Sequence, residues 1–175
     1  MPGICGNKRS SGIIADMVIV EEVSADDWAV VREVRLRALR DSPLNFWATY
    51  ADERGRDERW WRSFIEAGGW FIARDGDEPV GIAAGIEYSE AGEDERLLIS
   101  MWVAPEARRA GVGGRLVEAV AKWARRVGAH YLLLEVTETN EPARRLYERH
   151  GFIATGRTTQ HPREDLLEIE MRLEL

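Results

Sequence analysis

The chain has one cysteine, Cys5, in 175 residues. An internal disulfide is excluded, and a thiol nucleophile is not expected, because Cys5 lies in an amino-terminal stretch outside every motif described below. Long apolar runs are also missing. Nothing approaches the roughly eighteen consecutive apolar residues of a transmembrane helix, and residues 1–16 lack the apolar centre of a secretory signal. A cytoplasmic location with no membrane partner is therefore expected. Basic residues are outnumbered, 24 against 31 acidic, and the net charge of -7 argues against nucleic acid and favours a cationic substrate.

A chain of this length can bury a core of its own. Residues 1–16 are rich in Gly, Ser and isolated charges without a period and read as a disordered or loosely packed leader; residues 17–175 read as one domain. A first strand begins at Met17. Ser24-Ala-Asp-Asp27 resembles a capping box, and Trp28, Val31, Val34, Ala38 and Leu39 then mark one face of a helix that Asp41-Ser-Pro43 ends. A second short helix carries Trp60, Trp61, Phe64 and Ile65 and is expected to stop at Gly68-Gly69. Adjacent residues on a helix cannot both face a ligand easily, so Trp60 and Trp61 read as core. Phe46 and Trp47, in the preceding loop, are candidate walls of an acceptor pocket.

Residues 70–74, 79–88 and 96–103 read as three strands of an antiparallel meander, joined by Asp75-Gly76-Asp77 and an acidic tip at 89–95. Residues 130–136 form a nearly continuous apolar run, expected as a buried central strand. A helix follows over 141–150, capped by Asn140 and stopped by Gly151. Strands at 152–157 and 166–173 form a final hairpin with Leu167, Ile169, Met171 and Leu173 alternating inward. The element order is α+β, around one mixed sheet.

Between the third meander strand and the next helix lies Arg108-Arg109-Ala110-Gly111-Val112-Gly113-Gly114. Its glycines allow close backbone approach, and the first N–H groups of a helix lack partners within it, so the turn is suited to a phosphate. A P-loop is excluded, because Arg115 and Leu116 follow the last glycine where Lys-Ser or Lys-Thr is needed. A dinucleotide fingerprint fails as well: Leu116 occupies the third glycine position and Pro105 separates the strand from the turn. What remains is Arg108-x-x-Gly111-x-Gly113.

A second block, Asn140-x-x-Ala143-x-x-Leu146-Tyr147 with Gly151-Phe152, places Asn140, Ala143 and Tyr147 on one helical stripe. Together, in this order and on these elements, the two blocks resemble the GNAT superfamily of acetyl-CoA-dependent N-acetyltransferases, with a motif region similar to ribosomal-protein N-terminal acetyltransferases. The resemblance implies an α/β/α-layered, mostly antiparallel sheet of six to seven strands with about four helices. It implies that backbone groups of Met101, Trp102 and Val103 meet the acetyl and pantetheine parts of the cofactor. The loop from Arg108 to Gly114 would hold the pyrophosphate. Asn140 would hydrogen-bond near the pantetheine or the reacting centre, Ala143 would lie beside the cofactor, and Tyr147 would stand beside the sulfur as general acid. No metal is implied.

The expected reaction moves the acetyl group of acetyl-CoA to a primary amine of a small molecule or peptide, by direct attack in a ternary complex. An amine with a pKa of about 10.4 is mostly ammonium at neutral pH, so a base is needed. Glu135, a carboxylate inside the apolar run, is the first candidate; Glu138, Glu87 and His161 are alternatives, acting directly or through water. Glu87 and His161 are also candidate acceptor contacts. Use of another acyl-CoA and a non-catalytic CoA-binding module remain the competing readings, and an exposed terminal strand permits a homodimer.

Overall fold

The computed structural model describes residues 18–87 and 94–175. The expected leader, the strand start at Met17, the strand end at Tyr88 and most of the acidic tip lie outside the described residues. β1 (Val18–Val23) pairs antiparallel with β2 (Gly68–Asp75), β2 with β3 (Glu78–Ile86), and β3 with β4 (Glu95–Val103). β5 (Tyr131–Thr137) lies parallel to β4 and antiparallel to β7 (Leu167–Glu174), and β6 (Ile153–Gln160) forms the far edge. The seven-stranded sheet has the order β1-β2-β3-β4-β5-β7-β6. It is mixed and mostly antiparallel, as expected.

Five α-helices accompany it among the described residues: α1 (Trp28–Asp41), α2 (Tyr50–Glu53), α3 (Glu58–Glu66), α4 (Val112–Arg126) and α5 (Glu141–Arg149). The capping box at Ser24 is present, with Asp27 closing it, and leads through a short 3-10 turn into α1. α2 is the helix the sequence reading did not separate. Thr49 caps it in a second box closed by Asp52, the same Ser/Thr-x-x-acid pattern one loop later.

Helices cover both faces. Trp70 of β2 meets Phe64 of α3 with ring centroids 4.7 Å apart, whereas its neighbour Phe71 lies beside Arg115 and Glu118 of α4. Successive strand residues point to opposite faces, so α3 and α4 lie on opposite sides. Gly68 and Gly69 do not stop α3 as expected; Ala67 ends it and the glycines begin β2. Their smallness serves packing. A Cβ at Gly69 would sit 2.4 Å from the indole nitrogen of Trp123 on α4, and one at Gly85 would sit 2.4 Å from the same ring. Gly69→Ala should therefore lower unfolding stability by about 1 to 3 kcal/mol in a denaturant titration, the usual cost of overpacking a filled core.

The β7 alternation is corrected at one end. Met171 is buried and Ile169 and Leu173 pack partly against the core, but Leu167 is 41% exposed and Glu168 only 4% exposed. Apolar cover runs out beyond Leu167, while the Trp47 indole folds over Glu168 and donates to its Oε2 at 2.6 Å. No helix among the described residues is long and apolar enough to cross a membrane.

Candidate active site

The site begins with a break in the sheet. β4 and β5 pair only over Glu95–Leu97 and Tyr131–Leu133. Beyond that the β3–β4 register jumps, with Ile82 opposite Trp102 but Ala84 opposite Ile99, so β4 carries an extra residue. The bulge holds Ser100 at φ 58, a left-handed conformation that non-glycine residues seldom take. A buried arginine secures it: Arg35 of α1 donates from Nη1 to Ser100 Oγ at 3.1 Å and grips Glu53 of α2 through two bonds of 2.9 and 3.0 Å. All three residues are buried. Past the bulge, β4 has a hydrogen-bonding neighbour on one side only, so every second backbone N–H and C=O up to Val103 faces the gap.

A cavity of about 1300 Å³ occupies this gap and passes through the sheet. On the α4–α5 side it is lined by Arg108, Arg109, Gly111, Gly113, Gly114, Asn140, Ala143, Arg145, Leu146, Tyr147 and Arg149. On the α1–α3 side it is lined by Asn45, Phe46, Trp47, Glu53, Trp60 and Phe64, together with Glu135 and Glu168 from the sheet. Met101, Trp102 and Val103 lie along its middle.

The α4 end is built for an anion. Arg109 and Gly111 both take positive φ, 66° and 78°, and Gly111 caps α4 without a side chain. None of the backbone N–H groups from Arg109 to Gly114 donates to a described carbonyl, so they form a row of open donors at a helix N-terminus. A Cβ at Gly111 would meet nothing within 4 Å, which leaves that side of the turn open. These features fit a pyrophosphate. Arg108 is not a free cation here: its Nε donates to Val103 O at 2.9 Å and its Nη2 pairs with Asp41. Burial alone would push the Asp41 carboxyl up, but hydrogen bonds from Ser42, Trp102 and Arg108 and the charge of Arg108 hold it below its ordinary value. Arg108 therefore pins the loop to the end of β4, and Arg109 is left to face the cavity.

Asn140 caps α5, its Oδ1 accepting from Ala143 N at 3.3 Å. Tyr147 packs against Phe152 with centroids 5.7 Å apart, and its hydroxyl has no hydrogen-bond partner among the described residues. Burial pushes its phenol well above the ordinary 10.0. The group thus stays protonated and serves as a hydrogen-bond donor, and full release of its proton costs more than a reference phenol suggests. Across the gap, half-buried Glu135 accepts from Thr159 Oγ1 at 2.9 Å.

Several expected site residues are placed elsewhere. Val112 is part of the core and Ala110 packs partly against it; neither side chain lines the cavity. Glu87 is exposed at the end of β3, 3.6 Å from Arg96. His161 is buried outside the cavity lining, its Nδ1 accepting from Arg163 N at 3.3 Å. Glu138 is exposed and accepts from Leu167 N at 3.2 Å. None of these three side chains lines the cavity. Trp61 is core as read, but Trp60 lines the cavity, stacked on Phe64 at 4.8 Å. Sequence reasoning missed Arg35, Glu53, Ser100 and Glu168. Arg35 did carry a signal, a charge four residues after Val31 on the apolar face of α1.

A split parallel pair, a helix N-terminus with open N–H groups beside the split and a carboxylate across it meet in one cavity. Residues 32–152 match the Acetyltransferase (GNAT) family. The chain belongs to that family. Among curated relatives it is 39% identical over 87 residues to a streptothricin acetyltransferase of Streptomyces lavendulae, covering 49% of this chain and 45% of that one. It is 31% identical over 119 residues to a mycothiol acetyltransferase of Geodermatophilus obscurus, covering 66% of this chain and 38% of that one. The matched stretches thus span less than half of either relative. Among solved structures, yncA from Salmonella typhimurium with its cofactor acetyl-CoA superposes with a TM-score of 0.75 at 20% identity, covering 90% of this chain and 94% of that one. A ribosomal-protein-alanine N-acetyltransferase from Brucella melitensis gives 0.73 at 20% identity, covering 90% and 99%. These two share the fold.

Proposed function

We propose that the protein transfers the acetyl group of acetyl-CoA to a primary amine, of a small molecule or a peptide, in a ternary complex without a covalent enzyme intermediate. One observation carries the reading: a single cavity through the split between β4 and β5 joins the open N–H row at Arg109 to Gly114 with the carboxylate of Glu135 on the opposite face. When bound, acetyl-CoA supplies an acetyl group already activated as a thioester. The N–H groups of the glycine turn, with the α4 dipole, would hold its pyrophosphate. Backbone groups of Met101 to Val103 facing the gap, with Asn140 and Ala143, would align the pantetheine arm. Glu135 takes a proton from the incoming ammonium, directly or through water, and Tyr147 donates a hydrogen bond to the departing sulfur. Two further parts of the reading are a cytoplasmic place of action and a homodimer; the terminal strand β7 expected to permit it lies between β5 and β6, so the edge that could pair is β6, exposed along its whole length.

The test is release of CoA from acetyl-CoA with a panel of primary amines, followed by mass. Turnover with at least one amine, and none with the corresponding alcohols, is expected. A protein that binds acetyl-CoA but turns over no amine would favour a regulatory module instead. Binding is checked separately with Gly113→Leu. A side chain at Gly113 would start 3.0 Å from Leu146 and 3.3 Å from Met101 and extend into the cavity. Acetyl-CoA affinity by calorimetry should fall about 10- to 100-fold, the loss expected when charge-assisted N–H contacts are pushed apart. The same change at Gly128, which follows α4 away from the cavity lining, should leave affinity intact.

A further inference from the structure

The cations lining the cavity are concentrated at one end. Arg108, Arg109, Arg145 and Arg149 line the α4–α5 side, where Glu141 pairs with Arg145 and Asp41 with Arg108. On the α1–α3 side the lining cation is Arg35, and Glu53 already neutralises it through two bonds. Glu135 and Glu168 line the same side, with the aromatic side chains Phe46, Trp47, Trp60 and Phe64. Glu135 has a role in the proposed reaction. Glu168 has none.

Glu168 is nevertheless held with care. Thr137 of β5 and Thr159 of β6 are its register partners on either side, and paired residues share a face, so the carboxylate lies on the same face as Glu135. The residue is 4% exposed, and the Trp47 indole N–H fixes its Oε2 at 2.6 Å. Its Oε1 accepts no hydrogen bond from a described residue, yet it is not among the sealed, unpartnered atoms. It therefore opens to the cavity. A buried carboxylate with a satisfied oxygen, a second oxygen facing the cavity and no ion-pair partner among the described residues is a poor stability device, because desolvation without a charged partner costs free energy. It is a good receptor for a cation that arrives with the ligand, and the exposed Trp47 ring next to it can add cation–π attraction.

Resting on the acetyl-transfer reading above, we propose that the acceptor carries a second cationic group beyond the amine that is acetylated, and that Glu168, oriented by Trp47, binds that group. Glu135 and Glu168 are diagonal neighbours across β5 and β7, about 7 to 8 Å apart between their Cα atoms. The two nitrogens of the acceptor are accordingly separated by a few carbons, as in a short diamine or a lysine-like chain. Glu168 is a specificity-determining residue that takes no part in the bond changes.

The probes are putrescine, cadaverine and agmatine, compared with butylamine and pentylamine, titrated calorimetrically into the parent protein saturated with CoA. The best dicationic probe should bind about 10- to 100-fold more tightly than its monoamine counterpart, and Glu168→Gln, which keeps shape and the Trp47 contact, should close that gap. Trp47→Phe provides a second variant at a 53% exposed position and should narrow the gap by releasing the carboxylate from its fixed orientation. Equal affinities in the parent, or a gap that survives in Glu168→Gln and Trp47→Phe, overturns the inference. Parallel assays of CoA release separate it from the reading it rests on. Dicationic binding that depends on Glu168 without acetyl transfer overturns the transferase reading alone, and acetylation of both amine classes with equal kcat/KM overturns this inference alone.

Discussion

Tyr147→Phe is expected to lower turnover by about 10² to 10⁴ while acetyl-CoA still binds and the fold still melts cooperatively. The ring of Tyr147 is 6% exposed and packed on Phe152, and phenylalanine preserves that packing. The hydroxyl donates to no described residue, so its removal breaks no internal hydrogen bond and should change stability by less than the roughly 1 kcal/mol of a typical one. What the variant loses is a donor facing the cavity. Because burial raises the phenol above its ordinary value, the donor keeps its proton throughout the usual assay range, and loss of activity from tyrosine deprotonation should not begin until pH exceeds about 10. Single-turnover and steady-state rates at saturating amine and cofactor decide the matter. Turnover within threefold of the parent would show that the thiolate leaves without help from this hydroxyl.

The second large effect is expected at Glu135. Glu135→Gln retains volume and can still accept the Thr159 hydroxyl bond, so the strand and the cavity wall should persist. It cannot take a proton. A carboxylate base works only when deprotonated, so the parent rate should rise with pH along its acid limb, and the variant should lose that limb together with about 10² to 10⁴ in kcat. Cofactor affinity should change little, since the open N–H row lies on the other face. A variant profile that keeps the parent's acid limb would move the proton acceptor to water or to the amine's own equilibrium. Glu138, Glu87 and His161 would not inherit the role directly, because none of them lines the cavity.

Local signals carried much of this molecule. The capping box at Ser24, the Asn140 cap and the turn glycines Gly128 and Gly151, at φ 84 and 89, all sit where short-range chemistry puts them. So do the apolar face of α1 and the central strand β5. These features depend on neighbours within a few residues, and such neighbours are visible in one dimension. The misreadings share a different cause. Gly68 and Gly69 look like a helix stop, but a Cβ at Gly68 would strike Gly85 and Ile86 of β3, and one at Gly69 would strike Trp123, more than fifty positions later. Leu167 and Glu168 look like an inward leucine and an outward glutamate. Leu167 is exposed, and Glu168 is buried and accepts from Trp47, a side chain more than a hundred positions earlier.

The candidate site divides along the same line. The sequence by itself determined the glycine turn at the start of α4 and the stripe of Asn140, Ala143 and Tyr147, because a helix N-terminus and an i, i+3, i+7 spacing are local geometry. Only the tertiary structure decided that Arg108 is occupied by Asp41 and that a bulge at Ser100, held by Arg35 and Glu53, ends the pairing of β4 with β5. It also decided which carboxylates face the cavity. Their positions follow from strand register and from contacts between segments distant in sequence, and no local spacing encodes either.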